Sequence, residues 1–184
     1  MKYNLEWVKS LSQVEYLFFW GHQPSRDGSI IKTCMSQWWN SMFEEKSVLY
    51  KTAEHYMMAQ KALLFNDLET FERIISKESP KDIKDLGRQI KQFDSEIWDK
   101  NKYQIVRQGN YLKFSQNEKL KYFLTQTKNK IIAEASPVDT IWGIGLKEDN
   151  PQILNPNNWR GENLLGFALM EVRDELNKKT IQNL

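Results

Sequence analysis

The stretch TAEHYMMAQK, residues 52–61, places a hydroxyl, a carboxylate and an imidazole within four positions, and an amine two turns further along. At about 3.6 residues per turn, Glu54, Met58, Lys61 and Phe65 fall near one helix face, a stripe able to line a pocket. A carboxylate there can stabilise positive charge that develops as a bond breaks, and an amine of lowered pKa can attack an electrophilic carbon. The same spacing also suits an acidic first turn favoured by the helix dipole, an effect of roughly 0.3–1 kcal/mol, with a solvated lysine.

A second candidate is EASPVDTIWGIG, where Glu134, Asp139 and Trp142 share a backbone constrained by Pro137, Gly143 and Gly145. Glycines let a backbone approach a phosphate or flat ring closely, and a tryptophan beside them offers a stacking face. No full dinucleotide fingerprint follows the Gly-x-Gly, so a glycine-rich turn over a core tryptophan fits equally well. In WRGENLLG, Glu162 or Asn163 begins the last helix, and Gly166 inside its first turns points to close packing or ligand approach. Arg88, Arg107 and Arg160 are anion-holding candidates by bidentate hydrogen bonding, although a surface role is the default for any one arginine. Trp98 lies on the apolar side of its helix, and Cys34 has no nearby histidine to make it a nucleophile.

These residues need elements to position them. EYLFFWG reads as a short buried strand, PSRDGS as a turn with a hairpin-type Asp27-Gly28, and SVLYKT as a returning strand. Thr52 then caps a helix to about Asn66, Asp67 caps LETFERIISK, and Ser79-Pro80 with Asp82 starts PKDIKDLGRQI. Asp94 or Ser95 begins a longer helix through Leu112, and Asn117 caps EKLKYFLTQT. KIIAE is a strand, a short second strand follows around Trp142, and LLGFALMEVRDEL is the closing helix, leaving NKKTIQNL as a fraying tail. The order gives a helix-rich α+β fold with a small β-sheet in one domain spanning 1–184.

Composition bounds the function. The 184 residues are 40% apolar and 27% charged with a net charge of +2, which indicates neither disorder nor a strongly basic nucleic-acid surface. One cysteine excludes an intrachain disulfide, and two histidines, His22 and His55, offer no Cys/His zinc site. No signal peptide or membrane-spanning run is read, so the expected compartment is the cytoplasm, with no membrane partner.

Taken in order, TAEHYMMAQK, LGRQ, FDSEIWD, RQGNYLKFSQN, EASPVDTIWGIG and WRGENLLGFALMEVR resemble the motifs of the NADAR family, the YbiA-like N-glycosidases, over about residues 15–176. The resemblance implies hydrolysis of a C1′ N-glycosidic bond, without metal or other cofactor. The implied substrate is a phosphoribosylamino-pyrimidine of riboflavin synthesis or ADP-ribose on a guanine base, with nucleic acid a partner only when ADP-ribosylated. It makes Glu54, Asp139 and Lys61 catalytic candidates, and Trp98, Trp142, Gly143, Arg88 and Asn163 substrate-binding candidates. The segment FFWGHQP stands where shorter bacterial members carry an FSNF-type run and is expected to flank the pocket, adding Phe19 and Trp20. Two mechanisms are open: carboxylate-assisted attack of water, or a Schiff base on Lys61. A non-catalytic ADP-ribose-binding module and a purely structural helical domain are the readings of other classes.

Overall fold

A computed structural model describes residues 1–182. In chain order the elements are α1 (Leu5–Lys9), β1 (Tyr16–Phe19), β2 (Phe43–Glu45), β3 (Val48–Tyr50), α2 (Ala53–Leu64) and α3 (Leu68–Ser76). They continue with α4 (Pro80–Arg88), α5 (Ser95–Ser115), α6 (Glu118–Gln126), β4 (Ile131–Glu134) and α7 (Leu164–Gln182). The fold is α+β and helix-rich, with two two-stranded sheets. The chain divides into two compact units, one of Met1–Ser36 with the segment from Glu118 onward, the other Gln37–Asn117.

In the first unit β1 and β4 pair in parallel, Tyr16 opposite Ile131 through Phe19 opposite Glu134. Strand β4 is buried through Ile131, Ile132 and Ala133, and α7 lies on it with Leu165, Phe167, Leu169 and Val172 buried. Each such side chain contributes roughly 1.5–3 kcal/mol on burial. Gly166 makes the approach possible, because a Cβ there would lie 2.1 Å from the Ile132 carbonyl oxygen. Asn163, buried and at φ 56°, donates its amide to the Ile132 carbonyl (3.0 Å) and accepts from the Glu134 N–H (3.1 Å). One side chain thereby satisfies strand groups that would otherwise need a third strand.

In the second unit β2 and β3 form an antiparallel hairpin leading into α2. The Thr52 hydroxyl accepts from the His55 N–H (3.0 Å), as an N-cap should. From Ala53 to Ala59 every residue of α2 is buried, so this is the central helix of its unit, packed by α3, α4 and α5, and not a one-faced amphipathic helix. Asp67, Ser79 with Pro80 at the first turn, and Asp94 cap α3, α4 and α5.

Four expectations differ. The Ser25–Gly28 turn forms, but it joins no hairpin: β1 pairs with β4, and SVLYKT pairs with the neighbouring β2. No strand forms around Trp142, because Gly145 takes φ 69° and the carbonyls of Thr140, Gly143 and Ile144 accept from residues 160–163. The tail remains helical to Gln182, supported by the Glu175–Lys179 ion pair (2.9 Å), while residues 183 and 184 lie outside the described residues. Helix α1, capped by Asn4, was not foreseen.

Candidate active site

In the unit Gln37–Asn117, Glu54 occupies the first turn of α2, with its N–H donated to the Gln37 carbonyl (2.9 Å) and only 6% of its surface exposed. Its carboxylate lies where the dipole of α2 favours negative charge. The next residue, His55, is fully buried between two backbone groups. Nδ1 accepts the Lys51 N–H (3.2 Å) and Nε2 faces the Ile74 carbonyl (3.0 Å), an arrangement that only the neutral Nε2–H tautomer satisfies. Burial lowers its pKa from the usual 6.5. This imidazole joins the start of α2 to the end of α3, a structural task.

Two turns along α2, about 10 Å by helix rise, Lys61 is half-buried. Its Nζ donates to the Gly87 carbonyl at the end of α4 (2.9 Å) and lies 4.2 Å from the Phe93 ring centroid and 5.4 Å from that of Trp98. No carboxylate of the described residues pairs with it. Burial lowers its pKa from the usual 10.5. Gly87 packs closely on α2: a Cβ there would meet Met58 Sδ at 2.1 Å.

The loop carrying Phe93 is built with care. Asp67, whose Oδ1 accepts from the Thr70 N–H, also takes the Lys91 N–H on Oδ2 (2.9 Å), and Lys91 Nζ pairs with Glu69 (2.7 Å). Gln92 adopts φ 54°, Phe93 meets the edge of Phe65 at 5.3 Å, and Asp94 caps α5. The structure thus brings Lys61 and Trp98 together, and adds Gly87 and Phe93, which sequence reasoning missed. A signal for Phe93 was present. It is the residue before the Asp94 cap and Trp98 is the fourth residue of the helix, the two positions joined by a hydrophobic staple. Arg88 points elsewhere, exposed and 3.1 Å from Asp85.

In the other unit, Asp139 Oδ1 accepts the N–H groups of Ile141 (2.9 Å) and Trp142 (2.8 Å), holding the turn that presents a half-buried Trp142. Gly143 is buried against the Glu134 carbonyl, 2.8 Å from where its Cβ would be, so its small size serves packing. Phe19 is wholly buried on β1 and Trp20, just beyond it, is half exposed. The Asn163 amide is engaged on β4, as described above. Among the described residues, no three His, Cys, Asp or Glu side chains gather as a metal site requires, and no helix is long and apolar enough to cross a membrane.

Residues 18–177 match the family model described as the NADAR domain. N-glycosidase R617 of Acanthamoeba polyphaga mimivirus is 45% identical over 166 residues, which cover 88% of this chain and 96% of that protein. N-glycosidase YbiA of Escherichia coli strain K12 is 31% identical over 127 residues, covering 69% of this chain and 71% of the relative. The NMR structure of the E. coli protein YbiA superposes with a TM-score of 0.71 at 25% identity, over 92% of this chain and 90% of that one. With the ordered motifs, the helix-rich architecture and the length of the match in agreement, the chain belongs to the NADAR family.

Proposed function

We propose that this N-glycosidase cleaves the C1′–N bond of a phosphoribosylamino-pyrimidine through a Schiff base on Lys61. The observation that carries the reading is the amine itself: half-buried, hydrogen-bonded to the Gly87 carbonyl, beside two aromatic rings and, among the described residues, without a carboxylate partner. Burial raises the fraction of neutral amine at a given pH, and only the neutral form attacks.

The chemistry selects the substrate class. A glycosylamine whose nitrogen bears a hydrogen opens to an imine: the ring oxygen takes the C1′–O pair and a proton, and the nitrogen lone pair forms C1′=N. The Lys61 lone pair adds to C1′ as the C1′=N π pair moves to the base nitrogen; both Lys61 amine protons pass to that nitrogen, the Lys61 nitrogen lone pair forms C1′=N–Lys61, and the base leaves as a free amine with its bonding pair. Water then adds to the C1′=N–Lys61 bond, releasing the sugar as an aldehyde and restoring the amine. Glu54, on the same helix as Lys61, is the group assigned to proton transfer and to stabilising positive charge on the sugar. Trp98 is assigned to the planar base. The net charge of +2 suits a small anionic metabolite better than a long nucleic acid.

Base release from three compounds tests this: a phosphoribosylamino-pyrimidine, guanosine ADP-ribosylated on its exocyclic amine, and an ordinary purine nucleoside monophosphate. Turnover of the first and no turnover of the third is the expected result. Preference for the second would move the substrate to ADP-ribosylated guanine with the same chemistry. Comparable release from the third, whose ring nitrogen bears no hydrogen, would contradict the Schiff-base route.

A further inference from the structure

Phe93 is a large apolar side chain that α5 does not need to expose. The residue is 46% exposed, yet it is fixed rather than loose, held by the left-handed Gln92, the Lys91 N–H bond to Asp67, the edge-on contact with Phe65 and the Asp94 cap. A staple at this position is served by any apolar side chain and is served better by burial. What distinguishes this ring is its place: the Lys61 nitrogen lies over it, 4.2 Å from its centroid, while the residue keeps part of its surface exposed.

We propose that Phe93 is a specificity residue, the platform on which the heterocyclic base of the substrate stacks as it leaves Lys61. The inference rests on Lys61 being the nucleophile. An attacked C1′ lies one bond from Nζ and the leaving nitrogen one bond further, so the ring joined to that nitrogen is released within a few bond lengths of an amine that sits over Phe93. A flat heterocycle fits a fixed, half-open aromatic face, and base–aromatic stacking is worth enough to matter, on the order of 1–3 kcal/mol per base. Trp98, 5.4 Å from the same nitrogen, is the second ring of that wall. The sugar, held at C1′ by the covalent bond, needs no such platform.

Phe93→Leu separates this role from the staple, because leucine keeps an apolar side chain and removes the aromatic face, while Phe93→Tyr keeps both. Two readouts are compared: kcat and KM for the glycoside that wild type turns over, and cyanoborohydride labelling of Lys61 by ribose 5-phosphate, which carries no base. The expected result for Phe93→Leu is a kcat/KM lowered by roughly 5- to 100-fold, mainly through KM, with labelling by ribose 5-phosphate within twofold of wild type. Phe93→Tyr stays near wild type in both. Unchanged kcat/KM in Phe93→Leu overturns the proposal and leaves Lys61 untouched. An equal fall in labelling and turnover also overturns it, since the ring would then act on the amine and not on the base. Absence of wild-type labelling at Lys61 removes the nucleophile and the proposal with it.

Discussion

Lys61 and His55 lie on one helix and are both pushed toward neutrality by burial, with different consequences. For Lys61 the neutral amine is the form the proposed Schiff base requires. For His55 it is the form that holds α2 to α3, and the linkage fixes the direction of a pH effect. Because the folded pKa is below the usual 6.5, the unfolded chain takes the proton first; stability is full above that value and falls as pH drops through it toward the lowered folded pKa. Asp67, Glu69 and Glu78, whose pKa values are also lowered, lose their contributions only below the ordinary carboxylate range, so the interval just below pH 6.5 belongs to His55. Melting temperature is expected to fall from pH 7 to pH 5 in wild type and to be flatter over that interval in His55→Gln. Parallel curves for the two proteins would reject the assignment. The sequence motif placed Thr52, Glu54, His55 and Lys61 in order along one helix, but only the geometry separates the structural imidazole from the amine beside Phe93 and Trp98.

At the scale of elements, glycines decide how closely helices approach. Gly166 lets α7 lie on β4, and the atom it faces is a backbone carbonyl that side-chain rotation does not relieve. Gly166→Ala is therefore expected to destabilise by about 1–3 kcal/mol or more, read as a lower urea midpoint at unchanged slope. A midpoint equal to wild type would show that the contact relaxes freely. The helices were largely legible because Thr52, Asp67, Ser79-Pro80 and Asp94 are local signals that act within one turn. The pairing of β1 with β4 was not, since Tyr16 and Ile131 are far apart in sequence and a parallel pair carries no turn signature. The strand expected around Trp142 failed for the converse reason. Its apolar residues suggest a β run, while Gly145 and the acceptors at Thr140 and Gly143 commit the backbone to loop contacts with residues 160–163. Phe93 was hidden in a loop without periodicity, although its place before the Asp94 cap marked it.

At the scale of the whole molecule, the near-neutral balance of charge, the NADAR match over residues 18–177 and the likeness to YbiA agree on a small N-glycosidase. The family explains why the motifs occur in this order. To this the proposal adds Lys61 as the nucleophile, a half-buried amine beside two aromatic rings and, among the described residues, without a carboxylate partner. That is the central claim, and borohydride reduction during turnover tests it most directly. Wild-type protein treated with substrate and borohydride, digested and weighed, is expected to lose activity and to carry the phosphoribosyl mass on the peptide containing Lys61, with no adduct there in Lys61→Arg. Continued release of base by wild type with no adduct on Lys61 would contradict the account and return the reaction to the carboxylates and water.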